Sequence, residues 1–214
     1  MRKHLKNALI LLLATAAIVL ALPRTRGSLL RSAGHALVAS DSEEPADVIV
    51  IATDADGAGV LEATDLLQKG LAARIAVFAD PPGPVDREFL RRGVAYFDAA
   101  EVSIRELKAL GVDSVEQIPR SVAGTEDEGR VLPAWCDQQG FRTVILVSTR
   151  DHSRRVRRVL SRAMKGHPTR VLVRFSRYSP FDPDTWWTTR EGVRTQIVES
   201  EKLLLDMLRH PISD

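Results

Sequence analysis

The sequence predicts an α/β domain of Rossmann-like, three-layer build with a mostly parallel sheet, preceded by one N-terminal transmembrane helix. Three observations carry this. Two β-branched runs, residues 47–52 and 143–147, apolar after their first residue, have the character of parallel strands buried on both faces. Each leads through a turn into a stretch with apolar residues at helical spacing, and this alternation continues to the end of the chain, as an open sheet covered by helices requires. Ahead of it all, residues 8–22 form an apolar stretch interrupted only by Thr15.

That first stretch is flanked by Arg2, Lys3 and Lys6 on one side and by Pro23, Arg24 and Arg26 on the other. Spanning a bilayer takes about 20 mostly apolar residues, so with Leu5 it is short but sufficient for an anchor. Val19-Leu20-Ala21 also has the spacing of a cleavage site, which keeps a signal peptide as the alternative. Positive charge is similar on both sides, and the free α-amine tips the N-terminus towards the cytoplasm. The expectation is a single-pass protein of the bacterial inner membrane with its domain on the extracytoplasmic side. Residues 1–23 are then anchor or signal, 24–46 a polar linker, and 47–210 the folded domain.

Within the domain, the strand at 47–52 passes into Thr53-Asp54-Ala55-Asp56-Gly57-Ala58-Gly59, read as a turn, and a helix follows with Val60, Ala63, Thr64 and Leu67 on one side. A second strand at 74–79 stops at Asp80-Pro81-Pro82-Gly83-Pro84, where prolines lack the donors for pairing. Residues 102–110 read as a helix ending at Gly111, and 114–119 as a short strand. Residues 125–139 form a helix closed by Gly140, with Pro133 expected to kink it or mark a new start. After the strand at 143–147, Val156, Val159, Leu160, Ala163 and Met164 make an apolar stripe, and Arg154, Arg155, Arg157, Arg158 and Arg162 are read as its solvated face. A strand at 170–175 and a helix through Val193, Ile197, Leu204 and Leu208 complete the chain.

Composition narrows the function. The chain has 214 residues, 44% hydrophobic and 27% charged, which suits one ordinary core. Its 30 basic and 28 acidic residues nearly cancel, and no aromatic partners interleave the arginine run, so a nucleic-acid partner is not expected. Cys136 stands alone, which excludes an internal disulfide and a multi-thiolate metal site, and it reads as core.

In an open parallel sheet the ligand crevice lies at the carboxyl ends of the strands. Three loops should meet there. The first holds Asp54, Asp56 and Gly57; it lacks a G-x-G-x-x-G pattern, and its calcium-like offsets are discounted because the loop follows a strand and closes on Asp65. The second runs from Ser121 to Asp127, where Thr125 and Glu128 also fit a helix capping box. The third, Ser148-Thr149-Arg150-Asp151-His152, leaves a buried strand. His152 and Arg155 lie one helical turn apart and can address a single anion. Glu126 is the candidate to orient His152 or act as general base beside it. Helix capping is the plain alternative for Thr125 and His152.

The chain resembles the SanA/ElyC/YdcF-like family over roughly residues 47–208. The resemblance rests on Ser121, Thr125 and Glu126; on Val147-Ser148-Thr149-Arg150-Asp151-His152-Ser153-Arg154-Arg155; and on Trp186-Trp187 followed by Glu199 and Lys202. Two departures stand out: no glycine-rich turn follows the first strand, and Asp127 replaces the asparagine common after the family's Thr-Glu pair. The resemblance implies a Rossmann-like fold, an N-terminal anchor in many members and a role in the cell envelope, with no agreed reaction. The leading expectation is therefore an envelope-facing domain that binds, and as an enzyme would transform, an anionic small molecule tied to cell-wall or envelope precursors. Catalytic roles fall to His152 and Glu126; Asp54, Asp56, Gly57, Ser121, Thr125, Ser148, Thr149 and Arg155 bind. No cofactor is identified. Two alternatives stand: a non-catalytic nucleotide or S-adenosylmethionine-type binding module, and a structural envelope-barrier protein that exposes Trp186 and Trp187.

Overall fold

The computed structural model describes residues 23–211. The apolar stretch 8–22, expected to be the anchor, lies outside the described residues, and no helix among them is long and apolar enough to cross a membrane. Strands β1 (Val48–Ile51), β2 (Ile75–Ala79), β3 (Val115–Ser121), β4 (Thr143–Ser148) and β5 (Arg170–Phe175) form one parallel sheet in the order β3-β2-β1-β4-β5. All residues of β1 and β2 are buried. Successive side chains of a strand point to opposite faces, so both faces of the sheet centre are covered.

The covering helices form two groups. Helix α2 (Asp56–Gln68) packs on β1 and β4 and against α4 (Ala99–Ala109), which rests on β2 and β3; between them in the chain runs the short α3 (Pro84–Arg91). Helices α5 (Thr125–Gln139), α6 (Ser153–Ala163) and α7 (Arg190–Arg209) pack in succession, with α6 on β5. This is a Rossmann-like α/β fold, and the strand order reverses between β1 and β4, the switch point at which such sheets open a crevice.

Four local differences from the sequence expectation have physical causes. Gly57 and Gly59 lie inside the first turn of α2, not in a loop. A Cβ on Gly59 would sit 2.6 Å from Ala55 Cβ and 2.7 Å from Ile51 Cγ2, so this glycine serves close helix–strand packing. Helix α3 was hidden in the run that stops β2: Pro84 is its first residue, where proline's missing N–H costs nothing, and Asp86 caps Gly83 N at 2.9 Å. Helix α5 runs on through Pro133 without a new start, and Pro133 is buried in it. The arginines of α6 are not merely solvated. Arg154 donates to the Val38 carbonyl at 2.7 Å, Arg157 meets Asp41, and Arg158 and Arg162 both clamp Asp206 of α7 at 2.6 Å.

Residues 24–46, expected as a linker, are ordered against the domain. They begin with helix α1 (Pro23–His35) and continue as an arm in which Leu37 and Ala39 are buried. Leu37 joins Phe181, Leu203 and the flank of Trp186 in a second small core, while Trp186 Nε1 donates to the Leu30 carbonyl and Gln196 Nε2 to that of Ala33. The polar composition suggested a linker, but its few apolar residues fall where this second core accepts them.

Candidate functional site

The crevice is built around His152, the residue just before α6. It is only 2% exposed, and its ring lies between two carboxylates. Nε2 is 2.7 Å from Asp54 Oδ2, and Nδ1 is 2.9 Å from Glu199 Oε2. Thr125 Oγ1 lies 2.7 Å from Nε2 as well. Nη2 of Arg155 sits 2.9 and 3.1 Å from the two ring nitrogens, which places the guanidinium across the ring face and not in line with either nitrogen. Arg155 Nε also reaches Glu199 at 3.5 Å, and Lys202 Nζ donates to Glu199 Oε1 at 2.7 Å. Four chain segments thus converge on one imidazole: the end of β1, the start of α5, the start of α6 and the middle of α7.

These contacts set the ionisation of the site. Desolvation works against the charged ring of His152, but Asp54 and Glu199 outweigh it and raise its pKa to about 9. Burial alone would raise both carboxyls, yet the adjoining imidazolium and Arg155 bring Asp54 below its ordinary value and Glu199 to about 2. The resting site therefore holds an imidazolium between two carboxylates. Since the folded His152 lies above its unfolded value of 6.5, its stabilisation is complete below pH 6.5 and is lost as pH rises towards about 9. Asp54 and Glu199 lie below their unfolded values, so their share is lost only in acid. Melting temperature is expected to hold a plateau from about pH 5 to 6.5 and to fall between 6.5 and 9. His152→Asn should flatten the alkaline limb; an unchanged limb would exclude His152 as its source.

Glu128 is the residue that sequence reasoning placed wrongly. Its capping-box role does not form: Gly124, at φ 125°, precedes α5 with no side-chain cap, and Thr125 turns to His152 instead. Glu128 is 1% exposed, and its Oε1 accepts from both Thr53 N and Thr53 Oγ1 at 2.7 Å. Its Oε2 is buried with no partner. Burial, then the charge of Asp54, raises its pKa. Two neighbouring carboxyls with pKa values pushed in opposite directions are the usual mark of divided acid and base roles.

Two cavities flank this cluster and share Asp54 and Lys202. One, of about 420 Å³, is lined by the start of α5 with Glu128 and Arg155; the other, of about 570 Å³, by Asp56, Thr149, Asp151 and Phe181 among others. Asp54 is half-exposed between them. Of the sequence-selected residues, Asp54, Thr125, His152 and Arg155 meet directly, and Asp56 and Thr149 line the larger cavity. Asp56 has φ 42°, an uncommon backbone conformation at the head of α2. Gly57 lies on a separate hollow with Asp80 and Tyr96. Ser148 is fully buried at the end of β4 with no partner for its hydroxyl, and Ser121 pairs with Ala79 at the sheet edge, away from both cavities. Glu126 does not touch His152: it is exposed, lines the smaller cavity and lies 3.6 Å from Arg162. The carboxylates that orient the ring are Asp54 and Glu199. Asp127, standing where the resembled family has asparagine, caps Ala123 N at 3.0 Å. Burial pushes the Cys136 thiol up to about 12, which leaves it inert core.

No family model matches the chain, and no curated protein matches it. Among solved structures, it is similar to HcgE from Methanothermobacter marburgensis bound to guanylylpyridinol and ATP, at 17% identity and a TM-score of 0.33. That likeness covers 61% of this chain and 62% of the other, under two thirds of its length.

Proposed function

We propose that the crevice binds a small molecule carrying an anionic group and serves proton transfer at a hydroxyl of that ligand. The carrying observation is the smaller cavity, which gathers Arg155, Lys202 and the amino end of α5 beside the half-exposed Asp54. The first N–H groups of a helix have no partner within it and carry the positive end of its dipole, so they suit an anion. Asp54 is the half-exposed carboxylate that meets the ligand, and His152 with Glu199 holds its orientation from behind.

Arg155→Lys tests the anion. A lysine keeps the charge but cannot keep the planar two-pronged contact. Loss of one charge-assisted hydrogen bond costs about 1.5 to 3 kcal/mol, or roughly ten- to a hundredfold in affinity. Ligand-induced thermal shifts with phosphorylated and carboxylated compounds should show that loss; no shift with any anion in the unaltered protein removes the reading.

The resemblance to the SanA/ElyC/YdcF-like family supports placing this chemistry at the bacterial envelope, with residues 8–22 as inner-membrane anchor and the domain outside the cytoplasm. Cell fractionation should find the full chain in the membrane pellet after a high-salt wash. A soluble product beginning at Leu22 would replace the anchor with a cleaved signal.

A further inference from the structure

We infer that the outward face of α7 rests on the surface of a lipid bilayer, with its aliphatic side chains dipping into the headgroup region. This rests on the reading of residues 8–22 as a membrane anchor and adds to it the face that the domain turns to the membrane.

Helix α7 is amphipathic the wrong way round. The residues it buries are Gln196, Glu199, Leu203 and Asp206, and all but Leu203 are polar. Glu199 faces His152, Asp206 pairs with Arg158 and Arg162, and Gln196 donates to the Ala33 carbonyl. The aliphatic residues lie on the opposite side: Ile197, Leu204 and Leu208 recur at i, i+7 and i+11 in one stripe, with Val198 and Leu205 beside it. Among the described residues they are exposed, from 40% at Val198 to 70% at Leu208. Scattered exposed aliphatics need no explanation, but a stripe continuous over about three turns marks a contact surface.

The tether and the charge around the stripe point to a bilayer as its cover. Helix α1 begins immediately after the 8–22 stretch and is bonded to α7, so only about 15 Å of helix, from Pro23 to Ala33, separates the anchor from α7. No loose linker lets the domain stand off from the membrane, because the arm after α1 is itself packed into the second core through Leu37. Helix α1 has no acidic residue and exposes Arg26 and Arg31, and α7 exposes Arg190, Arg194 and Arg209 against Glu191 and Glu201. An apolar stripe rimmed by arginines is the pattern of a helix that lies in the interface of anionic lipids. Glu201 stands within the stripe and keeps the contact at headgroup depth, where its carboxylate still meets water. The same residue speaks against a second copy of the chain as the cover: a two-fold pairing centred on the stripe sets Glu201 against its own symmetry mate, like charge against like.

The test uses the full-length protein reconstituted in phosphatidylcholine vesicles containing phosphatidylglycerol, with a fluorophore on Leu204→Cys, on Leu208→Cys or, as a reference at the sheet edge away from α7, on Asp113→Cys. All three positions are exposed and Cys136 is buried, so the fold tolerates each change and the added thiol is the one that reacts. Lipids brominated near their carbonyl ends should quench the labels at Leu204 and Leu208, which lie about 5 to 10 Å into the interface, and leave the label at Asp113 bright. A water-soluble quencher should give the reverse order. Labels at Leu204 and Leu208 that behave like the one at Asp113, in vesicles that retain the protein through a high-salt wash, overturn the inference and leave the anchor standing. Shielding of the two α7 labels from both quenchers also overturns it, and shows that another stretch of protein covers the stripe. A protein that the salt wash strips from the vesicles removes the anchor reading itself, and this inference with it.

Discussion

His152→Ala is expected to lower the melting temperature by roughly 10 °C. The imidazolium is buried, and its removal strands Asp54, Glu199 and the Arg155 guanidinium that lies over it. Breaking a buried charge cluster by deleting one member costs about 3 to 5 kcal/mol, because the remaining charges lose their partner without regaining water. For a chain of this size each kcal/mol moves the midpoint by about 2 to 4 °C. Arg155→Lys keeps a positive charge beside Glu199 and should move the midpoint far less, so comparing the two variants separates the ring from its neighbour. A shift below about 2 °C for His152→Ala would contradict the buried-cluster geometry. The sequence reading gave His152 and Arg155 a shared role on one anion; the buried ring gives His152 a structural role as well. Only their cooperation was legible at one helical turn of spacing, whereas burial depended on three other segments closing over the ring.

That division runs through the whole molecule. Strands β1 and β4 were legible because burial on both faces demands continuous apolar runs, and the partly buried edge strand β5 was still read to the residue at 170–175. The loops at Asp54, Thr125 and His152 followed from strand ends alone, since a parallel sheet gathers them at one edge. Glu199 and Lys202 were visible only through the family resemblance. They sit more than forty residues after His152, on a helix whose rotation about its axis no local pattern fixes. Glu128 was misassigned because Thr125 and Glu128 have the spacing of a capping box. The tertiary partners Thr53 and His152 offered these side chains better hydrogen bonds than the helix terminus did. Glu126 was chosen because it follows Thr125 in the segment that carries the resemblance, and helix phase turned it outwards.

The arm before β1 carries the second large effect. Read as a polar linker, residues 24–46 would be dispensable for folding; the structure predicts that a chain beginning at Ser42 is destabilised. Leu37 is 2% exposed, and without it Phe181 and Leu203 of the second core open to water. Fully burying one such side chain is worth about 1.5 to 3 kcal/mol, so losing the burial of Leu37 and opening the other two costs roughly 5 kcal/mol, against a typical total of 5 to 15. The arm also supports the site. Ala39 N donates to Ser153 Oγ at 2.9 Å, Arg154 N donates to the Leu37 carbonyl at 3.1 Å, and Asp41 Oδ2 accepts from Val173 N at 2.9 Å. The first two bonds hold the opening turn of α6, the turn that presents His152 and Arg155. A chain from Ser42 should therefore melt at least about 10 °C below a chain from Pro23 and lose anion-induced stabilisation in step. Leu37→Ala in the longer chain isolates the packing share, expected at about 2 to 5 kcal/mol, with the backbone bonds to α6 retained and anion binding largely preserved. Equal melting of the two chain lengths would mean that α1 and the arm rest on the domain without holding it, and the order seen at α6 would then have to come from the sheet and α7 alone.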